Sequence, residues 1–201
     1  MDAVSPQESI EARKTAARDR LLTARHRRPL ADVGEAARAI AEHLVVAPEL
    51  RRAATVAAYV SVGTEPGTGP LLDALTAAGK RVLLPVLLPD GDLDWAVYGG
   101  PASLAPARLG LLEPVGPRGG PGAVATADAV LVPALAVDRF GVRLGRGGGS
   151  YDRALGRVPA GTFVCALLYD DELLDEVPRD DHDRTVTAVV TPRGLSRREP
   201  A

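Results

Sequence analysis

The residues best suited to chemistry lie in one stretch, "VPALAVDRFGVRLGRGGGSYDRAL", at positions 132 to 155. An apolar run opens there into five glycines interrupted by arginines, then resumes as a helix beginning Ser-Tyr-Asp. A turn needs one or two glycines; five indicate a backbone that something must approach closely. Amides freed at Gly145, Gly147, Gly148 and Gly149, followed by a helix N-terminus, form a concavity for an anion. Arg143 and Arg146 add positive charge, and phosphate is the natural guest. Asp152, in the first turn of the following helix, complements the helix dipole; beside bound phosphate it is also a suitable ligand for Mg²⁺. The spacing fits neither a P-loop nor the strict G-x-G-x-x-G of dinucleotide folds, because Ser150 stands where the third glycine belongs.

Such a loop works as a site when it hangs from the carboxyl end of a strand in an open parallel sheet, where ligands gather. The rest of the chain supplies one. Strand patterns occur at 55–62 ("TVAAYVSV"), 80–88 ("KRVLLPVLL"), 128–137 ("DAVLVPALAV"), 162–169 ("TFVCALLY") and 185–191 ("TVTAVVT"), with "LDWAVYGG" a further candidate. Helical patterns run from Ser5 to Arg28, from Val33 to Ala47, through "PLLDALTAAG" and onward from Ser150. The expectation is one α/β domain over 1–201: a Rossmann-like three-layer sandwich whose open, mostly parallel sheet of five to six strands is flanked by helices. Residues 99–122, rich in Gly and Pro, are expected to form an extended loop covering a ligand, and 193–201 a frayed tail.

Composition excludes several functions. Lys plus Arg number 24 against 26 Asp plus Glu, and aromatic residues are 3% of the chain, which argues against a nucleic-acid partner. Cys165 is the only cysteine, so neither a disulfide framework nor a cysteine metal site is available, and a reducing cytoplasmic setting is expected. The charged N-terminus is no signal peptide, no run reaches the roughly 18 apolar residues of a membrane span, and a monomer is expected. His26, His43 and His182 lack metal-ligand spacing. Only Lys14 and Lys80 are lysines, and Lys14 lies one helical turn before Arg18, on the same face.

Taken together, "PALAVDRFGVRLGRGGGSYDRAL", the K-x-x-x-R pair at Lys14 and Arg18, "AAYVSVGTEPGTGPLLDAL", "GKRVLLPVL", "LGLLEP" and "VPRDDHDRTVTAVVTP" resemble the 5-formyltetrahydrofolate cyclo-ligase family, also called methenyltetrahydrofolate synthetases. The resemblance implies a three-layer α/β fold and an ATP- and Mg²⁺-dependent enzyme acting on two small molecules, 5-formyltetrahydrofolate and ATP. It implies that Lys14, Arg18, Arg143, Leu144, Gly145, Arg146, Gly147, Gly148, Gly149, Ser150 and Tyr151 meet the nucleotide. It further implies catalytic roles for Arg146, Arg143 and Lys14, and Mg²⁺ contacts at Asp152 and Asp183, the latter with Asp180 and Asp181 as close rivals. On the folate side it implies Val60, Glu65, Arg146, Gly147, Gly148, Gly149 and Ser150. One departure stands out: many family members carry an aromatic residue where this chain has Ser150. Two alternatives stay open, a non-catalytic nucleotide- or phosphate-binding protein of the same fold and a paralogue acting on another N-formyl substrate.

Overall fold

A computed structural model of the chain describes residues 6–180 and 183–198. The strands are β1 (Thr55–Ala57), β2 (Arg81–Leu87), β3 (Leu93–Val97), β4 (Leu104–Pro106), β5 (Leu112–Pro114) and β6 (Ala129–Pro133). They continue with β7 (Ala136–Asp138), β8 (Arg143–Leu144), β9 (Phe163–Leu167), β10 (Leu173–Leu174), β11 (Ala188–Thr191) and β12 (Gly194–Arg197). The helices are α1 (Pro6–His26), α2 (Leu30–Val46), α3 (Pro48–Arg52), α4 (Gly69–Ala77) and α5 (Ser150–Leu155). Seven strands form one sheet in the order β12-β11-β9-β6-β1-β2-β3, parallel through its five inner members and antiparallel at both edges.

The inner strands read as nearly continuous apolar runs because both faces of the sheet are buried, and their alternation divides them between two cores. Val56, Leu84, Leu131, Leu167 and Val190 point to one side, where Ile40 and Leu44 of α2 and Leu71 and Leu75 of α4 cover them. Ala57, Leu83, Val130, Val132, Ala166 and Val189 point to the other, against Val124 and against Ala154 and Leu155 of α5. Each fully buried Leu, Val or Ile contributes about 1.5–3 kcal/mol. A register slip of one residue would exchange the two cores, so the layering is strongly specified. A third cluster, Leu21, Leu135, Val142, Leu144 and Val177, seats α1 on a small sheet of order β10-β7-β8.

Four expectations need correction. The run at 55–62 is a strand only to Ala57; after Ala58 N–H donates to Leu83 O, the chain leaves the sheet and becomes a loop carrying Glu65. The run at 128–137 is two strands in two sheets. Pro133 has no N–H for a further ladder bond, and past it Leu135 N–H turns to Leu144 O at 2.7 Å, starting the β7–β8 hairpin. Residues 99–122 are not structureless: β4 and β5 pair antiparallel between short 3-10 turns, and Glu113 Oε1 accepts the Leu87 N–H at 2.9 Å, tying the hairpin to β2. The expected tail at 193–201 instead continues as β12, because the outer edge of β11 offers unpaired backbone groups that residues 194–197 satisfy. Residues 199–201 lie outside the described residues. Among the described residues no helix is long and apolar enough to cross a membrane.

Cys165 sits in the middle of β9 with no exposed surface, and burial pushes its thiol well above the ordinary cysteine range. It is expected to stay silent to a disulfide exchange reagent in the native protein at pH 8 and to react stoichiometrically in denaturant. Rapid native labelling would show that the central sheet opens locally.

Candidate active site

Between β1 and β6 the strand order reverses: β1 crosses through α4 to β2 on one side, and β6 leads to β9 on the other. In open α/β sheets this switch point, outside the carboxyl ends of the strands, is where a crevice forms. Here it holds a cavity of about 540 Å³, floored by Tyr59 and Val60 after β1 and by Pro133 and Ala134 at the end of β6. The glycine loop, 145–149, forms one wall, and Leu109 and Leu112 of the β4–β5 hairpin rise along another.

The glycine loop leaves the main sheet by way of the β7–β8 hairpin, whose turn is stitched by a buried carboxylate. Asp138 Oδ1 accepts the N–H groups of Phe140 and Val142 at 2.9 and 3.0 Å, and Oδ2 accepts that of Val177 at 3.2 Å. The hairpin therefore presents Arg143 and the loop in a fixed direction. At Gly147 the backbone is left-handed, with φ of 96°, and a Cβ would lie 3.3 Å from the Arg18 guanidinium carbon. Glycine is required there for conformation and for closeness alike. Arg18 Nε donates to Gly145 O at 3.2 Å, so α1 holds the loop at its entrance.

Four basic side chains around the loop each have a carboxylate partner. Lys14, only 5% exposed, lies 2.7 Å from both Asp180 Oδ2 and Asp183 Oδ2. Burial lowers the affinity of its amine for a proton, but the two aspartates outweigh this and hold the pKa above the ordinary lysine value. Arg18 Nη1 meets Glu11 at 2.7 Å, and Arg143 Nη2 meets Asp152 Oδ1 at 2.8 Å. Arg146 Nη2 reaches Glu65 Oε1 at 3.2 Å across the cavity mouth. The two arginines of the loop thus differ in kind. Arg143 is buried, with its Nε lacking any hydrogen-bond partner among the described residues, whereas the Arg146 side chain is 53% exposed. Among the described residues the Asp152 carboxylate accepts from Arg143 Nη2 and from the Arg184 N–H, both on Oδ1.

The candidate residues thus converge: Lys14, Arg18, Val60, Glu65, Arg143 to Asp152 and Asp183 all line the one cavity. Asp180 lines it too, and Asp181 and His182 lie outside the described residues. Lys80 does not belong; its Nζ donates to Ala53 O at 2.6 Å, closing the end of α3. Sequence reasoning missed Arg25, which is 1% exposed beside the cavity and bound to Glu172. A signal existed: Lys14, Leu21 and Arg25 recur at helical spacing on the buried face of α1.

Among the described residues no three histidines, cysteines, aspartates or glutamates converge as a metal cage. Mg²⁺ is commonly held by one or two carboxylates together with substrate phosphates and waters, so Asp152 and Asp183 beside the glycine loop would suit it without such a cage.

A sequence profile of the 5-formyltetrahydrofolate cyclo-ligase family matches residues 10–192. The chain is 50% identical over 144 residues to the 5-formyltetrahydrofolate cyclo-ligase of Mycolicibacterium smegmatis, covering 69% of this chain and 74% of that one. It is 36% identical over 155 residues to the enzyme of the same name from Escherichia coli, covering 76% and 85%. The solution structure of 5,10-methenyltetrahydrofolate synthetase from Aquifex aeolicus superposes with a TM-score of 0.80 at 28% identity, over 94% of each chain. Sequence and fold agree, and this chain belongs to the 5-formyltetrahydrofolate cyclo-ligase family.

Proposed function

We propose that the protein converts 5-formyltetrahydrofolate to 5,10-methenyltetrahydrofolate at the expense of ATP, releasing ADP and phosphate, as a cytoplasmic monomer whose whole chain is one catalytic domain. The observation that supports this best is the ring of paired charges, Lys14, Arg18, Arg143 and Arg146, around a glycine loop in one cavity. Without a ligand each cation is compensated by a carboxylate. A polyphosphate arriving on the loop supplies the negative charge in their place, so affinity depends on exchanging ion pairs rather than creating them.

The chemistry follows from the substrate. The oxygen of an N-formyl group is a poor leaving group, so it first attacks the γ-phosphorus of ATP, and ADP departs. N10 of the folate then attacks the formyl carbon, loses its proton, and the C–O bond breaks to free phosphate and leave the methenyl bridge. In both steps the protein positions the reactants and neutralises charge. Lys14 and Arg18 hold phosphates from the α1 side, and the amides of the glycine loop hold them from beneath. Arg146, the most exposed of the four cations, meets the transferring phosphoryl group. Glu65 accepts N–H groups of the pterin, with Val60 beside it. Mg²⁺, when bound, neutralises phosphate charge, and Asp152 and Asp183 are the carboxylates that hold it.

The test is the absorbance of methenyltetrahydrofolate when purified protein meets 5-formyltetrahydrofolate and Mg²⁺ with and without ATP. ATP-dependent product with one ADP per turnover is expected. ATP binding by calorimetry without product would favour a non-catalytic nucleotide binder, and turnover of another N-formyl compound alone would favour the paralogue. Asp152→Asn is expected to raise the Mg²⁺ concentration needed for half-maximal rate by about tenfold or more. An unchanged metal dependence would remove Asp152 from the ligand set.

A further inference from the structure

Ser150 is the first residue of α5, and its hydroxyl has a single proton to give. That proton goes to the Gly91 carbonyl, 2.5 Å away. The same carbonyl accepts Arg153 Nη2 at 2.6 Å, and Arg153 Nη2 also reaches Gly148 O at 3.3 Å. Just beyond α5, Arg157 grips Asp92 with two parallel bonds of 2.9 and 2.6 Å, and these hold the Asp92 carboxyl below its usual range. Segment 148–157 is thereby fastened to one turn, residues 90–92, between β2 and β3. The turn accommodates this because Gly91 is left-handed, with φ of 81°, and carries no Cβ; one would stand 3.0 Å from Arg153 Nη2.

We propose that the β2–β3 turn is a positioning element for the glycine loop, and that Ser150 and Arg153 serve the ligand through the Gly91 carbonyl rather than by touching it. Phosphate oxygens only accept hydrogen bonds, and the Ser150 proton is already committed. Neither Gly91 nor Arg153 lines the cavity. The loop is held at its entrance by Arg18 on Gly145 O and at its exit by this clamp. The glycines between are the residues with the most conformational freedom to lose on binding. Fixing both ends before the ligand arrives lowers the cost of ordering them. The inference rests on the reading that the loop holds the phosphates of ATP.

Ser150→Ala, Ser150→Thr and Arg153→Ala in the full chain test it, with hydrogen exchange of amides 145–149 in ligand-free protein, ATP affinity by calorimetry, and KM for ATP set against kcat. Ser150→Ala and Arg153→Ala are expected to speed loop exchange and to weaken ATP binding about fivefold to tenfold. The loss should appear in KM, with kcat within about twofold, and Ser150→Thr, which keeps the hydroxyl, should restore wild-type behaviour. Weaker ATP binding in Ser150→Ala with unchanged loop exchange and a normal Arg153→Ala would mean direct contact and overturn the inference. Wild-type exchange in both alanine variants would overturn it as well. If the wild-type protein bound no ATP, the functional reading would fail, while loop exchange in the ligand-free variants would still decide the positioning one.

Discussion

Arg146→Ala is expected to lower kcat/KM for ring closure by about 10³-fold or more while leaving the fold intact. The size follows from where the charge is needed. The oxygens of the transferring phosphoryl group carry negative charge, and a cation placed there raises the rate to the extent that it meets them more strongly in the transition state than in bound ATP. The intact fold follows from exposure: the Arg146 side chain is 53% exposed and its ion pair with Glu65 is 3.2 Å long. Substitutions at such positions usually change stability by less than about 0.5 kcal/mol. Arg143→Ala provides the contrast. Arg143 is buried and holds Asp152 at 2.8 Å, so its loss should lower thermal stability and activity and raise the Mg²⁺ requirement. Initial rates over a range of both substrates, with a thermal melt of each variant, separate the two arginines. Arg146→Ala activity within about threefold of wild type in a folded protein would leave Arg146 with no part in phosphoryl transfer.

The site was legible in the sequence to the extent that its residues are contiguous or lie at helical spacing. Five glycines around two arginines mark the candidate loop, and Lys14 and Arg18 share a helix face. The layering was legible too, because apolar runs of strand length alternating with amphipathic helices admit few architectures. What escaped were features decided by partners distant in sequence. That Lys14 is paired with Asp180, 166 residues away, while Lys80 closes the end of α3 shows only in the fold. The break at Pro133 is visible as a proline, but only the pairing of Leu135 with Leu144 shows that the chain changes sheets there. That the Ser150 hydroxyl turns to the Gly91 carbonyl was hidden because this acceptor belongs to a turn 59 residues earlier. Segment 99–122, read from its glycines and prolines as an extended loop, pairs with itself because backbone polar groups against a folded surface must find partners.

Arg25 is another residue of this kind, and it carries the largest stability effect expected. Its Nε and Nη2 meet Glu172 Oε1 and Oε2 at 2.6 and 2.8 Å, and Nη2 also donates to Ala134 O at 2.6 Å. Glu172 Oε2 accepts the Tyr169 N–H at 2.9 Å, and the Arg25 and Arg28 guanidiniums both lie over the Tyr169 ring. The pair therefore joins α1 to the end of β6 and to the segment after β9, beneath the cavity. Burial pushes the Glu172 carboxyl up, and the Arg25 guanidinium and the Tyr169 N–H pull it back. Both residues are almost fully buried, at 1% and 2% exposure, so solvent cannot compensate for the loss of either partner. Glu172→Gln or Arg25→Met alone is expected to cost about 3–5 kcal/mol, because each strands a buried charge. The double substitution Arg25→Met/Glu172→Leu should recover most of that loss, since no charge is then left behind. Urea unfolding of the three variants measures this directly, with activity followed in parallel. If the double variant regains stability but not KM for the substrates, the pair sets the position of α1, and with it Lys14 and Arg18, rather than simply holding the fold together. If it regains both, apolar packing at the floor is enough to place them. Single variants as stable as wild type would mean that water reaches the pair, contrary to its burial.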